Sequence, residues 1–464
     1  MPAVCFYFQV HQPYRLKDLR IRHMDCEHPA YFDEEKNRQI FRKVAEKCYL
    51  PTNKLMLDLL NRHKDFHIAY SLSGVFLDQC KEYGPDVLAS FQELAKTGKV
   101  EFLAETYYHS LSAVASIGEF AEQVGMHVRA MEELFGQTPR TFRNTELIFN
   151  NEIAQIARLM GFSGIIAEGT DHLLRGRSPN NPFRIPQFRV SRGQERAIGT
   201  KRPLAERAKD ITVLLKNYRL SDDIAFRFSD RNWSGHPLSA ETYADWVQHN
   251  DGHTVNLFMD YETFGEHQWA DTGIFDFLEA LPRILGARGI PFFTPAQAID
   301  TWKNKHRDLY DVHSTISWAD TERDLSAWTG NRIQQSALHA AFALEHAIKA
   351  SEDAELLNVW RKLLTSDHLY YMSTKYWNDG DVHKYFSPYE SPYEAYRRFS
   401  HALCDLRERV TIGATSAVKT KQRTKKHATI STGRKIQDAR HKNATKRETN
   451  KRNNEITNKR TSIS

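Results

Sequence analysis

Two carboxylic acids stand two residues apart at the end of an almost entirely apolar run. The run extends from Val255 to Met259, and Asp260 and Glu262 follow it directly. A short run of this kind is typical of a buried strand, and alternate side chains of an extended segment point the same way. Gly265 then lets the chain turn, and His267 comes next. The stretch therefore presents acids and an imidazole together, as general acid and base catalysis requires.

Polar side chains also accompany the first, third and fourth apolar runs: His11, Gln12, Glu101, Glu105, Asn144, Thr145 and Glu146. In a barrel of parallel strands, such strand ends form one rim. Pyranose rings stack on aromatic side chains and their hydroxyls pair with carboxylates, so this rim predicts a sugar site. The aromatic residues nearby in the sequence are Tyr107, Tyr108, Trp233, Tyr261, Trp269 and Trp318.

Each of these residues also has an ordinary structural interpretation. Glu146 precedes a helical stretch at 150–160, and a carboxylate near a helix N-terminus is stabilising. His11 fits a satisfied core histidine, and the tryptophans fit the core as well. Asp260 fits a turn, but that interpretation is weaker, because two neighbouring acids at a strand end are costly unless they are used.

Short apolar runs alternate with helical patterns over some 300 residues, which predicts an α/β fold with a parallel sheet. The sheet is either doubly wound or closed into a barrel. No Gly-x-Gly-x-x-Gly follows a strand and no Walker sequence occurs, which favours the barrel. The predicted strands are 3–10, 66–73, 99–104, 140–144, 163–167, 211–216, 254–260 and 290–293.

The chain divides into a catalytic part, a helical part and a tail. Strand signals stop near Asp300, so we predict a catalytic domain over 1–300 and a helical domain over 301–412. Segment 171–210, with several Pro and many Arg, predicts a long loop insertion. The predicted helices of the second domain are 331–349, 353–377 and 393–410.

The composition is that of a soluble globular protein, with 41% hydrophobic and 26% charged residues. No apolar run is long enough for a transmembrane helix, and the N-terminus reads as a strand rather than a signal peptide. We therefore expect a cytoplasmic protein with no membrane partner. The five cysteines are odd in number and lack Cys-x-x-Cys spacing, which argues against a disulfide framework and a zinc site.

The tail, 413–464, differs from the body in charge. From Thr415 onward it has 15 Lys and Arg against three Asp and Glu, whereas the preceding residues have 49 against 55. We predict disorder, because the tail offers almost no apolar side chains to bury. The preferred interpretation is a solvated appendage; the alternative is a weak electrostatic arm for polyanions, without a specific nucleic acid partner.

Several motifs occur together in the order and spacing of one enzyme family. They are His11-Gln-Pro13, Gly98-Lys-Val-Glu101 with Tyr107-Tyr-His109, Phe142-Arg-Asn-Thr-Glu146 and Met259-Asp-Tyr-Glu-Thr-Phe-Gly-Glu-His267. In these motifs the chain resembles glycoside hydrolase family 57 from Ala3 to about Val410. The resemblance is closest to the α-amylase branch, whose members are similar to Asn217–Phe226 and Ser366–Met372.

The resemblance implies an incomplete, TIM-barrel-like (β/α)7 barrel and a helical domain that helps close the cleft. Since eight strands are predicted, we expect 290–293 to lie outside the barrel. It further implies cleavage of α-1,4-glucans with retention of configuration, with Glu146 as nucleophile and Asp260 as general acid/base. Retention requires the two carboxyls to be roughly 5 to 5.5 Å apart. We expect no metal and no cofactor.

The residues expected to bind the substrate surround these two acids. Hydrogen bonds to the sugar at the cleavage point are expected from His11, Glu262 and His267, and stacking from Trp269 or Trp318. Asp367 and His368 are expected to reach in from the helical domain. The remaining expected binding residues are Gln12, Glu101, His109, Asn144 and Tyr261.

Three other functions stay open from the sequence. A 4-α-glucanotransferase would form the same glycosyl-enzyme and pass the sugar to another glucan. A metal-dependent deacetylase would need two or three converging ligands, whereas Asp222 and Asp223 lie in a predicted helix far from the His motifs. A glycan-binding protein would keep the aromatic residues without turnover.

Overall fold

The described strands of the protein lie in its first 260 residues. The computed structural model describes residues 1–19, 30–186, 192–198, 210–305, 308–375, 382–412 and 442–452. Within these ranges the strands are β1 (Ala3–Val10), β2 (Ile68–Leu72), β3 (Val100–Phe102), β4 (Thr141–Arg143), β5 (Gly164–Glu168), β6 (Phe183–Arg184), β7 (Thr212–Lys216) and β8 (Thr254–Asp260).

The strands form two sheets in which neighbours are parallel, except at one edge. The first sheet has the order β3-β2-β1-β8 and the second the order β4-β5-β7-β6, with β6 antiparallel to β7. Ala104 bridges to Phe142 between the sheets on one side. On the other side, the amide of Asn217 donates to the carbonyl of Asn256 at 2.9 Å. The prediction of an α/β fold with parallel strands is confirmed.

Seven of the eight predicted strands are confirmed, and 290–293 is not a strand. Phe292 makes an isolated parallel bridge to Val4. The pairing cannot extend, because Pro291 has no N–H to donate and Thr294 already caps the next helix. The short strand β6 lies instead within the predicted loop insertion.

Helices connect the strands and dominate the C-terminal part. Gly136 and Gly161 end two of them in the left-handed conformation, which glycine adopts without strain. The α-helices are α1 (Glu34–Val44), α2 (Leu50–Arg62), α3 (Gly74–Tyr83), α4 (Pro85–Lys96), α5 (Ser112–Ala115), α6 (Ile117–Phe135), α7 (Asn151–Met160), α8 (Asp171–Leu174), α9 (Arg192–Ile198), α10 (Tyr218–Ala225), α11 (Ala240–Gln248), α12 (Ile274–Ala287), α13 (Pro295–Trp302), α14 (Ser326–Thr329), α15 (Arg332–Ala343), α16 (Glu345–Ala350), α17 (Ala354–Leu363), α18 (Ser366–Tyr370), α19 (Val382–Phe386), α20 (392–412) and α21 (442–452).

Alternation along the strands creates an apolar interior with a polar end. Inward side chains of both sheets form one buried cluster, which includes Tyr7, Ala69, Ile166, Leu214 and Phe258. Because side chains two residues apart share a face, the next inward positions lie at the carboxyl ends of the same strands. Those positions are polar: Gln9, Ser71, Glu168, Lys216 and Asp260.

The helical part is fastened to the first part by buried ion pairs. Arg361 donates to both carboxylate oxygens of the buried Glu119 on α6 at 2.7 and 3.0 Å, and Lys349 lies 2.8 Å from the same carboxylate. The amide of Ser366 donates to the carbonyl of His109 at 2.9 Å. Helix α18 is thereby held against the strand ends.

Parts of the predicted insertion and tail lie outside the described residues. Of segment 171–210, the structure describes 171–186, 192–198 and 210; of the tail, it describes only α21, whose residues are all exposed. A short helix without tertiary contacts is marginal in water, so disorder of the tail stays a prediction. Among the described residues, no helix combines the length and apolarity needed to cross a membrane.

Candidate active site

Strand β8 ends at Asp260, and the tight turn that follows it carries Glu262, the second acid noted in the sequence. We call residues 261–269 the acid loop. Gly265 has a φ of 107°, and a Cβ at this position would lie 2.0 Å from the carbonyl oxygen of Lys47. The amide of His267 donates to the carbonyl of Glu262 at 2.9 Å and closes the loop. Only glycine fits there, so the expected turn at Gly265 is confirmed.

Three donors converge on the carboxylate of Glu146. Trp318 Nε1 donates to Oε2 at 2.9 Å, while Ser366 Oγ and His109 Nε2 donate to Oε1 at 3.1 and 3.3 Å. Glu146 has a φ of 58° and lies outside α7, whose N-cap is Asn150. Its carboxylate is therefore not a helix cap. With 18% of its side chain exposed, it is accessible to a ligand.

His109 links Glu146 to a fully buried acid. Its Nδ1 lies 2.8 Å from Glu105, which also accepts hydrogen bonds from Ser71 and Gln9. Burial lowers the pKa of His109, but the hydrogen bonds to Glu105 and Glu146 raise it overall, from 6.5 to about 9. His109 is thus an imidazolium at neutral pH and donates from both ring nitrogens.

Two cations lie on the ring of Trp318. The Arg143 guanidinium is 5.2 Å and the Lys216 ammonium 5.4 Å from the ring centre, within cation–π range. Arg143 is completely buried, and its guanidinium makes no hydrogen bond within the described residues. It pairs with Glu105 at 3.8 Å, so its charge acts on the surrounding acids through space.

The two acids singled out by the sequence have pKa values displaced in opposite directions. Burial and the charge of Glu146 raise the pKa of Asp260 from 3.8 to about 6. Burial also raises the pKa of Glu146, but the hydrogen bond from His109 and the charges of His109 and Arg143 bring it below 4.5. At about pH 5, Glu146 is therefore ionised while Asp260 is mostly protonated.

Glu262 is a second protonated acid beside Asp260. The Tyr49 hydroxyl donates to its Oε1. Burial and the charge of Asp260 raise the pKa of Glu262 from 4.5 to about 8. On electrostatic grounds alone, Glu262 therefore competes with Asp260 for the role of proton donor.

His11 stacks on His109, with ring centres 4.0 Å apart. Its Nε2 lies 2.8 Å from Asp367 and its Nδ1 2.7 Å from Ser73 Oγ. Burial and the charge of His109 lower the pKa of His11, so the neutral ring donates to Asp367 and accepts from Ser73. The structure thus brings His11, His109 and Asp367 into one cluster with Glu146.

Glu101 and Tyr261 do not reach this cluster, which corrects two of the expected binding residues. Glu101 is level with Tyr7, below the polar end of the interior, and it accepts a hydrogen bond from the Ala296 amide at 2.7 Å. Strand β3 begins at Val100, so Glu101 lies near the start of the strand, where its carboxylate caps α13. Tyr261 faces away from Asp260 into the core, where its hydroxyl donates to Asn53 at 2.7 Å.

Gln12 and Asn144 are buried, and their amides serve the protein itself. Gln12 donates to the Tyr49 hydroxyl at 3.2 Å and accepts from Arg15 at 3.0 Å. Asn144 donates to the carbonyl of Ile148 at 2.9 Å. Both side chains therefore support the loops that carry the acids.

The remaining expected residues lie around the cluster. Trp269 is 59% exposed at the outer end of the acid loop, with the Lys47 ammonium 5.6 Å from its ring centre. It is Trp318, not Trp269, that contacts Glu146. His368 is buried with its ring centre 5.9 Å from that of Phe399, and burial lowers its pKa to about 4. His267 contacts residues of α19.

Some residues of the cluster were missed by sequence reasoning. Arg143 and Lys216 occupy inward positions at the ends of β4 and β7, so strict alternation along those strands would have identified them. Ser366 precedes Asp367 in a motif already noted. Tyr49 lies in a π-helical segment, Ala45–Tyr49, and no local signal indicates it.

Protein partners surround the imidazoles of the cluster. In the part of the chain that the structure describes, no group of three or more His, Cys, Asp or Glu side chains could hold a metal ion. The ring nitrogens of His11 and His109 all face protein partners, at 2.7 to 3.3 Å.

Comparison with known proteins gives a family and a set of structures with the same fold. Residues 5–313 match the profile of Glycosyl hydrolase family 57. A Methanocaldococcus jannaschii protein named "Putative alpha-amylase" is 40% identical over 412 residues, 87% of this chain and 83% of the relative.

Two solved structures share the fold at low identity. A GH57-type branching enzyme from Pyrococcus horikoshii is 15% identical, with a TM-score of 0.57 over 87% of this chain and 88% of the other. A 4-alpha-glucanotransferase from Thermococcus litoralis is 14% identical, with a TM-score of 0.56 over 80% of this chain and 56% of the other.

Proposed function

Because the chain belongs to glycosyl hydrolase family 57, we propose that it is a retaining α-amylase that cleaves α-1,4-glucosidic bonds of starch- or glycogen-type glucans. The observation that supports this most is the pair of Glu146 and Asp260, whose pKa values lie on opposite sides of about pH 5. A retaining glycosidase needs one ionised and one protonated carboxyl beside the scissile bond.

The proposal includes the fold that carries this pair. We propose that the two sheets form one incomplete (β/α)7 barrel, with residues 301–412 closing the cleft. The bridge from Ala104 to Phe142 and the hydrogen bond from Asn217 to Asn256 support it, since they join the sheets at both seams. The shared interior cluster supports it as well.

Glu146 acts first, as the nucleophile. From the described residues, its Oε1 accepts two hydrogen bonds and its Oε2 one, so Oε2 has the freer lone pair for attack on the anomeric carbon. As the new bond forms, the bond to the leaving chain breaks, and Asp260 gives its proton to the leaving oxygen. The products of this step are a glycosyl ester of Glu146 and a shortened glucan.

Asp260 then acts as a base. The ester carries no charge, so the carboxylate of Asp260 no longer faces a neighbouring anion and stays ionised. It takes a proton from water, whose oxygen displaces Glu146 from the anomeric carbon and restores its configuration. His11 and Asp367 lie in the cluster with Glu146, and Glu262 lies beside Asp260. These three side chains would bind hydroxyls of the reacting sugar.

Product analysis on maltooligosaccharides tests the activity. Hydrolysis yields shorter chains and a net gain of reducing ends. A 4-α-glucanotransferase would use the same ester but deliver the sugar to another chain, giving longer products without that gain. If soluble starch and maltooligosaccharides yielded neither shorter nor longer chains, the proposal would be contradicted.

The pH dependence of kcat/KM is expected to be bell-shaped. Glu146 must be ionised, so activity falls as the pH drops through its pKa, which lies below 4.5. Asp260 must be protonated, so activity falls as the pH rises through about 6. An alkaline limb at about 8 instead would assign the acid to Glu262.

Replacing Arg143 with Met is expected to move this bell to higher pH. The guanidinium lowers the pKa values of both Glu146 and Asp260, so its loss raises both. Arg143→Lys keeps the charge and is expected to shift the profile less. An unmoved profile in a folded Met variant would show that Arg143 does not act on these acids.

A further inference from the structure

A cluster of three rings, two of them exposed and the third half-buried, lies at the outer end of the acid loop. It consists of His267, Tyr385 and Phe386, and we call it the outer strip. Tyr385 is 64% exposed and Phe386 39%. Their ring centres lie 5.0 Å apart, and His267 lies 6.4 Å from Tyr385 and 5.5 Å from Phe386.

The outer strip is continuous with the active site through the acid loop. The amide of His267 donates to the carbonyl of Glu262, whose carboxyl interacts with Asp260. Tyr385 and Phe386 belong to α19, which follows α18 in the chain. Helix α18 contributes Ser366, which donates a hydrogen bond to Glu146. A linear ligand that leaves the catalytic acids along this loop therefore meets the strip.

The surroundings of the strip are polar. Lys43 pairs with Glu266 at 2.6 Å beside it, and Lys47 lies over the exposed ring of Trp269 on the same loop. A sugar ring presents C–H groups on its faces and hydroxyls around its edge, so it suits rings flanked by charged groups. A stable protein interface needs about 800 Å² from each partner, far more than these few rings offer.

We propose that the outer strip is a binding subsite for an α-glucan chain that extends beyond the active site. The inference rests on the proposed function and adds a preference for long chains. Units of a long glucan stack on Tyr385 and Phe386, while a short oligosaccharide fills only the positions next to Asp260. The strip thus raises affinity for polymeric substrate.

Calorimetric binding to the Glu146→Gln protein tests this without turnover. The titrants are maltotriose and maltoheptaose. The Tyr385→Ala/Phe386→Ala double variant is expected to bind maltoheptaose about tenfold more weakly, the effect of losing one or two stacking contacts. Affinity for maltotriose is expected to stay the same.

Two control variants make the result specific. Tyr385→Phe/Phe386→Tyr keeps both rings and is expected to retain the affinity for maltoheptaose. Tyr393→Ala removes a tyrosine that is 69% exposed outside the strip and is expected to change nothing. Unchanged maltoheptaose binding in the double alanine variant, or an equal loss for both titrants, would overturn the inference. If the parent bound neither titrant, the proposed function would fail as well.

Discussion

Replacing Glu146 with Gln is expected to lower the rate of starch cleavage by about 10⁴-fold or more, as loss of a catalytic nucleophile does in other enzymes. An amide oxygen is too weak a nucleophile to displace the leaving chain. The Trp318 indole can still donate to the new side chain, so the protein is expected to fold. A reducing-end assay measures the loss, and circular dichroism checks the fold.

Glu101→Gln is the matched control. It makes the same chemical change on a carboxyl of the same interior that caps α13 and does not contact the cluster. Its activity is expected to stay within about twofold of the parent, because the amide oxygen still accepts from Ala296. Full activity in Glu146→Gln, or an equal loss in Glu101→Gln, would remove Glu146 as the nucleophile.

Rescue of activity by an added nucleophile shows that a variant at position 146 is folded and lacks only its nucleophile. Glu146→Gly leaves room for azide beside the anomeric carbon. With an activated glucoside, azide is expected to restore part of the activity and to give a glycosyl azide of inverted configuration, because only one displacement occurs. NMR of the product reads the configuration, and a retained configuration would contradict this prediction.

Asp260→Asn is expected to reduce starch cleavage by about 10² to 10⁴-fold, the usual contribution of a general acid. Substrates with an activated leaving group need little protonation, so their first step is expected to be affected much less. Pre-steady-state release of the leaving group measures that step. An equal loss on both substrates would mean that another residue is the acid, and Glu262→Gln is the variant to compare.

Asp260→Asn is also expected to stabilise the fold. The pKa of Asp260 is about 6 in the folded protein and ordinarily 3.8, a difference worth about 3 kcal/mol. Because ionisation is disfavoured in the folded state, the penalty is absent below about pH 4 and grows as the pH rises to about 6. Asn avoids it, so the free energy of unfolding is expected to rise at neutral pH, by up to that amount. Urea unfolding of the parent and the Asn variant at about pH 4 and at neutral pH measures the difference.

The parts of this architecture that depend on local patterns were predictable from sequence. Short apolar runs identified seven strands, and the run before Asp260 placed that residue at a strand end. The failed strand at 290–293 is as apolar as the others but contains Pro291. What it lacks is a partner along its length, because Pro291 and the Thr294 cap confine it to one bridge.

Contacts between distant segments were not predictable in the same way. Tyr49 reaches Glu262 from a π-helical turn, and Ser366 reaches Glu146 from beyond position 300. Neither contact leaves a periodic signal. Glu101 was expected at the polar end of the interior. Strand β3 begins at Val100, only one residue before Glu101, so the side chain of Glu101 lies below that end.

His109 and Glu146 have φ values of 49° and 58°, which is strained for any residue with a Cβ. The cost is of order 1 kcal/mol at each position, and glycine would avoid it. The hydrogen bonds of His109 to Glu105 and Glu146, which raise the pKa of His109 to about 9, favour the folded protein at neutral pH and outweigh this strain. Glycine at either position would relieve the strain but remove these buried contacts, so it is expected to lower thermal stability as well as activity.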